Sequence, residues 1–278
     1  MTIRKYVRSS YNDWLKTSLL LGITCCIFYP FVSLLIASVK DMDQFIRSPW
    51  TITFPLHFEN YIGAWRAVRG YVLNSFIASG CSVIGVLILS AFTGYVFARY
   101  KFAGREILYL LILGLLMIPG VLTLVPSFML IKDLGLRNTR FALIIPYISG
   151  GQVFGIFLLR SFFASLPEEL FESARIDGGS DWQIFTRVGV PLCKAILGTL
   201  AIINVLGTWN DLIWPLVTLS DSKLWTIPLG LMGFRTQYYT VWGVLFSGYL
   251  IAAVPLLIVF VFTSKLFVEG LTAGALKM

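Results

Sequence analysis

The chain has 278 residues, of which 57% are hydrophobic and only 13% charged, and its mean hydropathy is +0.81. Soluble domains carry about a quarter charged residues, so this composition suits lipid rather than water. The net charge of +8 fits juxtamembrane residues held by anionic lipid without invoking nucleic acid, and a single histidine, His57, rules out most His-based catalytic or metal constellations.

The apolar residues fall in long runs, and about 20 of them cross the ~30 Å hydrocarbon core as a helix. Irregular backbone facing lipid leaves N–H and C=O groups without partners, so helices are the expected spanning element. The runs predict an all-α membrane protein with six spans, near 16–38, 72–98, 107–131, 141–163, 195–219 and 242–264, in one domain covering 1–278. Cys25, Cys26, Cys81 and Cys193 show no CxxC pairing and read as small core hydrophobes.

The first span follows Arg4, Lys5 and Arg8 as a signal peptide would. It is too long for a signal core and has no small-residue cleavage site, so it is expected to be a retained helix. The segment from Lys40 to Gly70, with Trp50 and Trp65, is expected to lie on the membrane surface. Asn74, at the start of the second span, is a candidate for lining a solute path. Pro119 and Pro126 in the third span, Pro146 in the fourth, Pro215 in the fifth and Pro255 in the sixth are expected to interrupt helices around a wet path. With both termini on one side, that side holds 13 Lys and Arg against nine on the other, so the termini are expected in the cytoplasm.

The longest inner loop reads RSFFASLPEELFESARIDGGSDWQIFTRVGVPLCK over 160–194. Ser165 and Glu168 match a capping box with Pro167 in the first turn, predicting a helix to about Ile176. Asp177-Gly178-Gly179 is a glycine stop, and Ser180 with Gln183 opens a second short helix that Gly189 and Pro191 should end after Val188. Glu172 lies mid-helix, and Trp182 and Phe185 share a face of the second helix. The physics leaves two readings level: a module that enters a groove on another protein, or a connector lying on lipid headgroups.

The fifth span carries Asn204, Thr208, Trp209, Asn210 and Asp211 in otherwise apolar sequence. Polar groups inside a membrane face the bundle interior or a cavity. Asn204 is the better candidate for the path. Trp209, Asn210 and Asp211 suit either that path or a structural, gating role.

Glu172-Ser173-Ala174, Asp177-Gly178-Gly179, Phe185 and Pro191 together resemble the EAA loop of ABC importer permeases, in particular the carbohydrate-uptake group typified by the maltose permease. GYVFARYKFAGR at 94–105, MIPGVLTLVP at 117–126, LGLRNTRFALIIPY at 134–147, TWNDLIWPLV at 208–217 and the ending EGLTAGALKM are similar to that group in the same order. Ser173, Gly179 and Ala195 depart from its pattern, the first two remaining small.

The resemblance implies a type I ABC importer transmembrane domain and a non-catalytic permease subunit in a bacterial inner membrane. It assigns ATPase coupling to Glu168, Glu169, Glu172, Ser173, Ala174, Asp177, Gly178, Gly179 and Phe185 within a loop at 165–191. It implies two ABC ATPase subunits that bind ATP and Mg, since this chain has no G-x-x-x-x-G-K-[ST] loop. It further implies a second homologous permease in a heterodimer, an extracytoplasmic solute-binding protein, and contact of the Leu271–Met278 tail with the ATPases. The Trp-Asn-Asp run is common to members carrying different sugars, which favours a structural or gating role for it. An ion- or proton-coupled secondary transporter is the alternative; it would show internal repeats and midplane ionisable groups, and only Asp211 is clearly within a span.

Overall fold

The computed structural model describes residues 3–233 and 241–275, with side chains placed over 13–233 and 241–262. Among these residues the regular structure is entirely helical. In chain order, α1 is Ile3–Ser38, α2 Met42–Arg47, α3 Glu59–Arg99, α4 Arg105–Leu116, α5 Gly120–Asp133 and α6 Phe141–Ser165. Then come α7 at Glu169–Ile176, α8 at Asp181–Ile184, a π-helical turn at Phe185–Gly189, α9 at Val190–Leu192 and α10 at Lys194–Trp209. The chain closes with α11 at Ile213–Thr218, a 3-10 turn at Ser222–Leu224, α12 at Ile227–Gly233 and α13 at Trp242–Ala275.

Among the described residues four helices are long and apolar enough to cross a membrane alone, and the number reaches six when each of two bent helix pairs counts as one span. The fourth and sixth spans begin where expected, at Phe141 and Trp242. The helix of the second span, α3, starts at Glu59, well before residue 72, because nothing between Glu59 and the apolar run stops it. The third span is two helices, α4 and α5, bent by 101°. In the fifth span, α10 ends at Trp209, and α11 continues after a break.

The chain forms two compact units. One comprises Met1–Ala67 and Phe234–Ile251, the other Val68–Gly233 and Ala252–Met278. In the first, the Ser38 carbonyl accepts hydrogen bonds from Asn60 Nδ2 (2.9 Å) and Ser247 Oγ (3.0 Å). Lys40 is 1% exposed and donates its ammonium to the carbonyls of Ser48 and Pro49, and burial holds its pKa below the ordinary lysine value. Trp50 and Phe54 face outward from the segment so tied down, and Trp50 stacks on Tyr29 at 6.0 Å.

In the second unit α6 is the central helix, packed against α4, α10 and α11. Its contact with α3 is tight. A Cβ at Gly94 would lie 2.9 Å from Leu159 Cβ and 3.0 Å from the Arg160 nitrogen, and one at Gly155 would lie 2.3 Å from Ser90 Oγ. Small residues permit such approach, and dispersion between close surfaces replaces the hydrophobic drive that lipid does not supply. One cluster joins Tyr95 of α3, Leu159 and Phe163 of α6, Phe171 of α7, Phe185, and Leu200 of α10. A second joins Ala78, Ile131, Leu143, Trp214 and Leu229.

Two expectations need correction. Pro126, Pro146 and Pro255 lie inside continuous helices, and only Pro119 and Pro215 adjoin breaks. A proline frees the carbonyl four residues earlier, and the helix survives when another donor reaches it. For Pro146 that carbonyl is Ala142's, and Trp214 Nε1 donates to it at 2.8 Å. Of the four cysteines, all free, only Cys193 is buried; Cys25, Cys26 and Cys81 lie exposed on apolar helices, where lipid accepts a thiol as readily as a core does.

Substituting valine at Gly94 is expected to force α3 and α6 apart at a cost of about 1–3 kcal/mol. The measurement is thermal unfolding in detergent, where the variant should melt well below the wild type; an unchanged midpoint contradicts the close approach.

Candidate functional site

The segment between α6 and α10 is built by local rules. Pro167 restricts Leu166 to extended backbone (φ −77°, ψ 142°), and this ends α6. Ser165 is thereby the last residue of α6, its hydroxyl donating to the Phe162 carbonyl at 2.8 Å. The expected Ser165 capping box is therefore absent: α7 starts from Glu168, which makes no side-chain cap. The stop after Ile176 forms as expected. Gly178 has φ +80°, and Gly178 and Gly179 donate to the carbonyls of Arg175 and Ala174, each at 3.0 Å. The second capping box also forms, Ser180 and Gln183 bonding reciprocally at 2.9 and 3.3 Å.

Beyond Ile184 the structure departs from expectation. Gly189 and Pro191 do not end the helix at Val188; the chain widens into the π turn and continues through α9 to Leu192. Val190 N–H reaches the Phe185 carbonyl, five residues back, the signature of that wider turn. The bend falls at Cys193, where the helical path turns by 73° into α10.

The loop has two chemically distinct faces. Phe171, Ile184 and Phe185 are buried in the cluster around Tyr95, whose ring lies 5.1 Å from that of Phe185 and 6.1 Å from that of Phe171. Outward stand Glu168, Glu169, Glu172, Ser173, Asp177 and Gly178, with Ala174 and Gly179 half-buried. Glu172 and Ile176, four apart on α7, share a face; Ile176 is 86% exposed and Trp182 64%. Among the residues the resemblance assigns to coupling, Phe185 alone is fully buried, as an anchor of the loop.

The end of α3 grips this loop. Arg99 Nη1 meets Glu168 Oε2 at 2.5 Å, its Nη2 donates to the Leu166 carbonyl at 2.9 Å, and its guanidinium lies 3.9 Å over the Phe171 ring. Beside it, burial foremost and then the nearby carboxylate of Asp181, at the start of α8, push the Tyr100 phenol's pKa up to about 12. Sequence reasoning assigned Arg99 and Tyr100 no role, because their partners lie far along the chain.

The candidate path residues do not share one surface. Asn74 is buried, donating to the carbonyls of Lys223 (2.7 Å) and Trp225 (3.1 Å) and accepting from Arg140. Asn204 bonds the Leu200 carbonyl of its own helix and packs against Gly151. Trp209 is buried, and Asn210 is exposed with its amide on the Leu206 carbonyl. Asp211 accepts from the backbone N–H groups of Ile213 (3.0 Å) and Trp214 (3.3 Å), capping α11, and from Tyr147 Oη at 2.8 Å. It alone of the five lines a cleft of about 850 Å³ at the α4–α5 bend, alongside Thr123, Ser127 and Ser149.

Comparison with known proteins places this architecture. Residues 87–273 match the family described as binding-protein-dependent transport system inner membrane component. The chain is 34% identical over 275 residues to the probable ABC transporter permease protein YurM of Bacillus subtilis, covering 99% of this chain and 91% of that protein. It is 33% identical to the diacetylchitobiose uptake system permease protein NgcG of Streptomyces coelicolor, over 94% of this chain and 87% of that one. Its fold matches a chain of a bacterial ABC transporter that imports the acidic polysaccharide alginate, with a TM-score of 0.81 and 23% identity over 94% of this chain and 98% of that one. The chain belongs to the family of binding-protein-dependent inner-membrane components: it is a multi-pass permease subunit of an ABC importer. That membership displaces the ion-coupled secondary transporter.

Valine at Gly178 must adopt the left-handed backbone at about 1–2 kcal/mol. Loosening of the 175–180 turn is expected, read as faster protease cleavage there in detergent-solubilised protein; wild-type cleavage rates contradict this account of the turn.

Proposed function

We propose that the chain forms half of the translocation path for a sugar or oligosaccharide and takes its motion from ATPase subunits that dock on the α7–α8 loop. The observation that carries this reading is the loop's two-faced construction. One side is welded into the core of the spanning helices, and the other presents Glu172, Ile176 and Trp182 to a partner. An exposed carboxylate beside large apolar side chains suits a groove with a basic residue, where a charged pair supplies register and apolar burial supplies affinity. A connector lying on anionic headgroups is disfavoured by the acidic Glu168, Glu169 and Glu172 on that face.

Several finer assignments follow. The termini and the loop lie in the cytoplasm, in keeping with the distribution of basic residues. The subunit itself does no chemistry: ATP and Mg belong to the two motor subunits, and Glu172 transmits force. A second, homologous permease supplies the other half of the path, since one six-span chain encloses no complete channel. A sugar cargo is supported by relatives named for diacetylchitobiose and arabinooligosaccharides. Within this chain the Asp211 cleft is the part of the path best suited to passing hydroxyl groups, because a carboxylate and three hydroxyls line it.

The test uses the complete complex, with binding protein and ATPases, in proteoliposomes. Glu172→Lys is expected to insert normally but to lower binding-protein-stimulated ATP hydrolysis by about ten-fold or more, the scale of one charged contact reversed at an interface. Wild-type stimulation in that variant removes the docking assignment. Uptake that persists without ATPase subunits and collapses with the proton gradient removes the importer mechanism as a whole.

A further inference from the structure

Resting on the docking of α7–α8 just proposed, we infer that Arg99 is the positioning residue that makes the docking loop and the spanning helix α3 move as one body. The loop's buried aromatic face is a non-directional contact with the membrane helices, and the junctions at Leu166–Glu168 and Cys193 are non-helical or bent and would absorb a push applied to α7. The contact that bypasses them is made from α3.

Arg99 is the last residue of α3, and its side chain is 6% exposed. A guanidinium withdrawn from water is retained only where charge and donors are answered. Here Nε is buried without a partner, while both terminal nitrogens and the flat face are answered, each from a different point on the loop. The Leu166 carbonyl, at the end of α6, is one of the groups that a helix terminus leaves unbonded, and Nη2 takes it. The Glu168 carboxylate, at the start of α7, takes Nη1 in a charge-assisted bond. The Phe171 ring, one turn into α7, receives the flat face of the cation. Contacts in and perpendicular to the guanidinium plane resist both sliding and tilting of α7 against α3. Lysine presents a point charge with no plane and cannot reproduce them.

The consequence is a division of labour. Glu172 receives the displacement, and Arg99 delivers it to the part of α3 that lies in the second unit, residues 68–99. Loss of the Arg99 contacts should leave the docking face intact while the motor runs without moving the path.

The experiment measures solute transported per ATP hydrolysed in proteoliposomes containing the whole importer, normalised to assembled complex. Arg99→Met keeps an apolar stem over Phe171 and removes both hydrogen bonds. It is expected to retain the ATPase subunits through purification and to lower transport per ATP by about ten-fold, the weight of one charged hydrogen bond. Arg99→Lys should fall between this variant and the wild type. A wild-type ratio in Arg99→Met overturns the inference, whereas a role in stability alone would reduce the yield of complex and leave the ratio unmoved. Should Arg99→Met fail to assemble, the pair Arg99→Cys and Glu168→Cys decides, in a background without the four native cysteines. Joining the pair with a short bifunctional reagent restores the ratio if the tie is what matters and leaves it low if it is not. Glu172→Lys run in parallel separates the two claims: normal stimulation there removes docking itself, while a normal ratio in Arg99→Met alone removes only the tie.

Discussion

The absence of side chains at Gly94 and Gly155 lets α3 and α6 meet at backbone range, and most of the second unit follows from that approach. It sets the register that brings Tyr95 within 5.3 Å of Phe163. That aromatic pair then offers Phe171 and Phe185 a place to bury, which decides that the inner loop packs on the spanning helices instead of trailing from them. In lipid, where no aqueous drive gathers apolar helices, such close approach is one of the few sources of helix–helix affinity. The loop's geometry is thus inherited from a contact made within the membrane.

A second constraint is the satisfaction of backbone polar groups at membrane depth. It explains why prolines of similar appearance behave differently. Pro146 leaves α6 whole because the Trp214 indole answers the carbonyl it frees. At Pro119 the chain instead turns through 101° between α4 and α5, and the bend opens the cleft that Asp211 lines. Asp211 itself is engaged in capping the short helix after a break, so the same carboxylate shapes the wall and faces the space.

The spans at Phe141–Ser165 and from Trp242 were legible because hydropathy alone determines what can cross lipid. The Ser180–Gln183 cap and the Gly178 turn were legible because their partners lie within a few residues. What was hidden depends on distant residues. Ser165 looked like a cap, yet Pro167 acts backward on Leu166 and leaves that serine inside α6. The resemblance counted Phe185 among the coupling residues, and the neighbours that bury it sit on α3 and α6. The grip of Arg99 on Glu168 spans 69 positions, and no spacing rule reaches across that interval.

On the docking role proposed above, the core-packed face of the loop bears on how quickly a complex can form. A segment that folds only on meeting its partner pays an ordering entropy of several kcal/mol at the moment of binding. Here Phe171, Ile184 and Phe185 have already fixed the loop before any encounter. Recognition then approaches rigid-body capture, in which association is limited by orientation and not by a search through loop conformations. Affinity can therefore be set by the few outward side chains, and a partner can be released and recaptured without the loop having to refold.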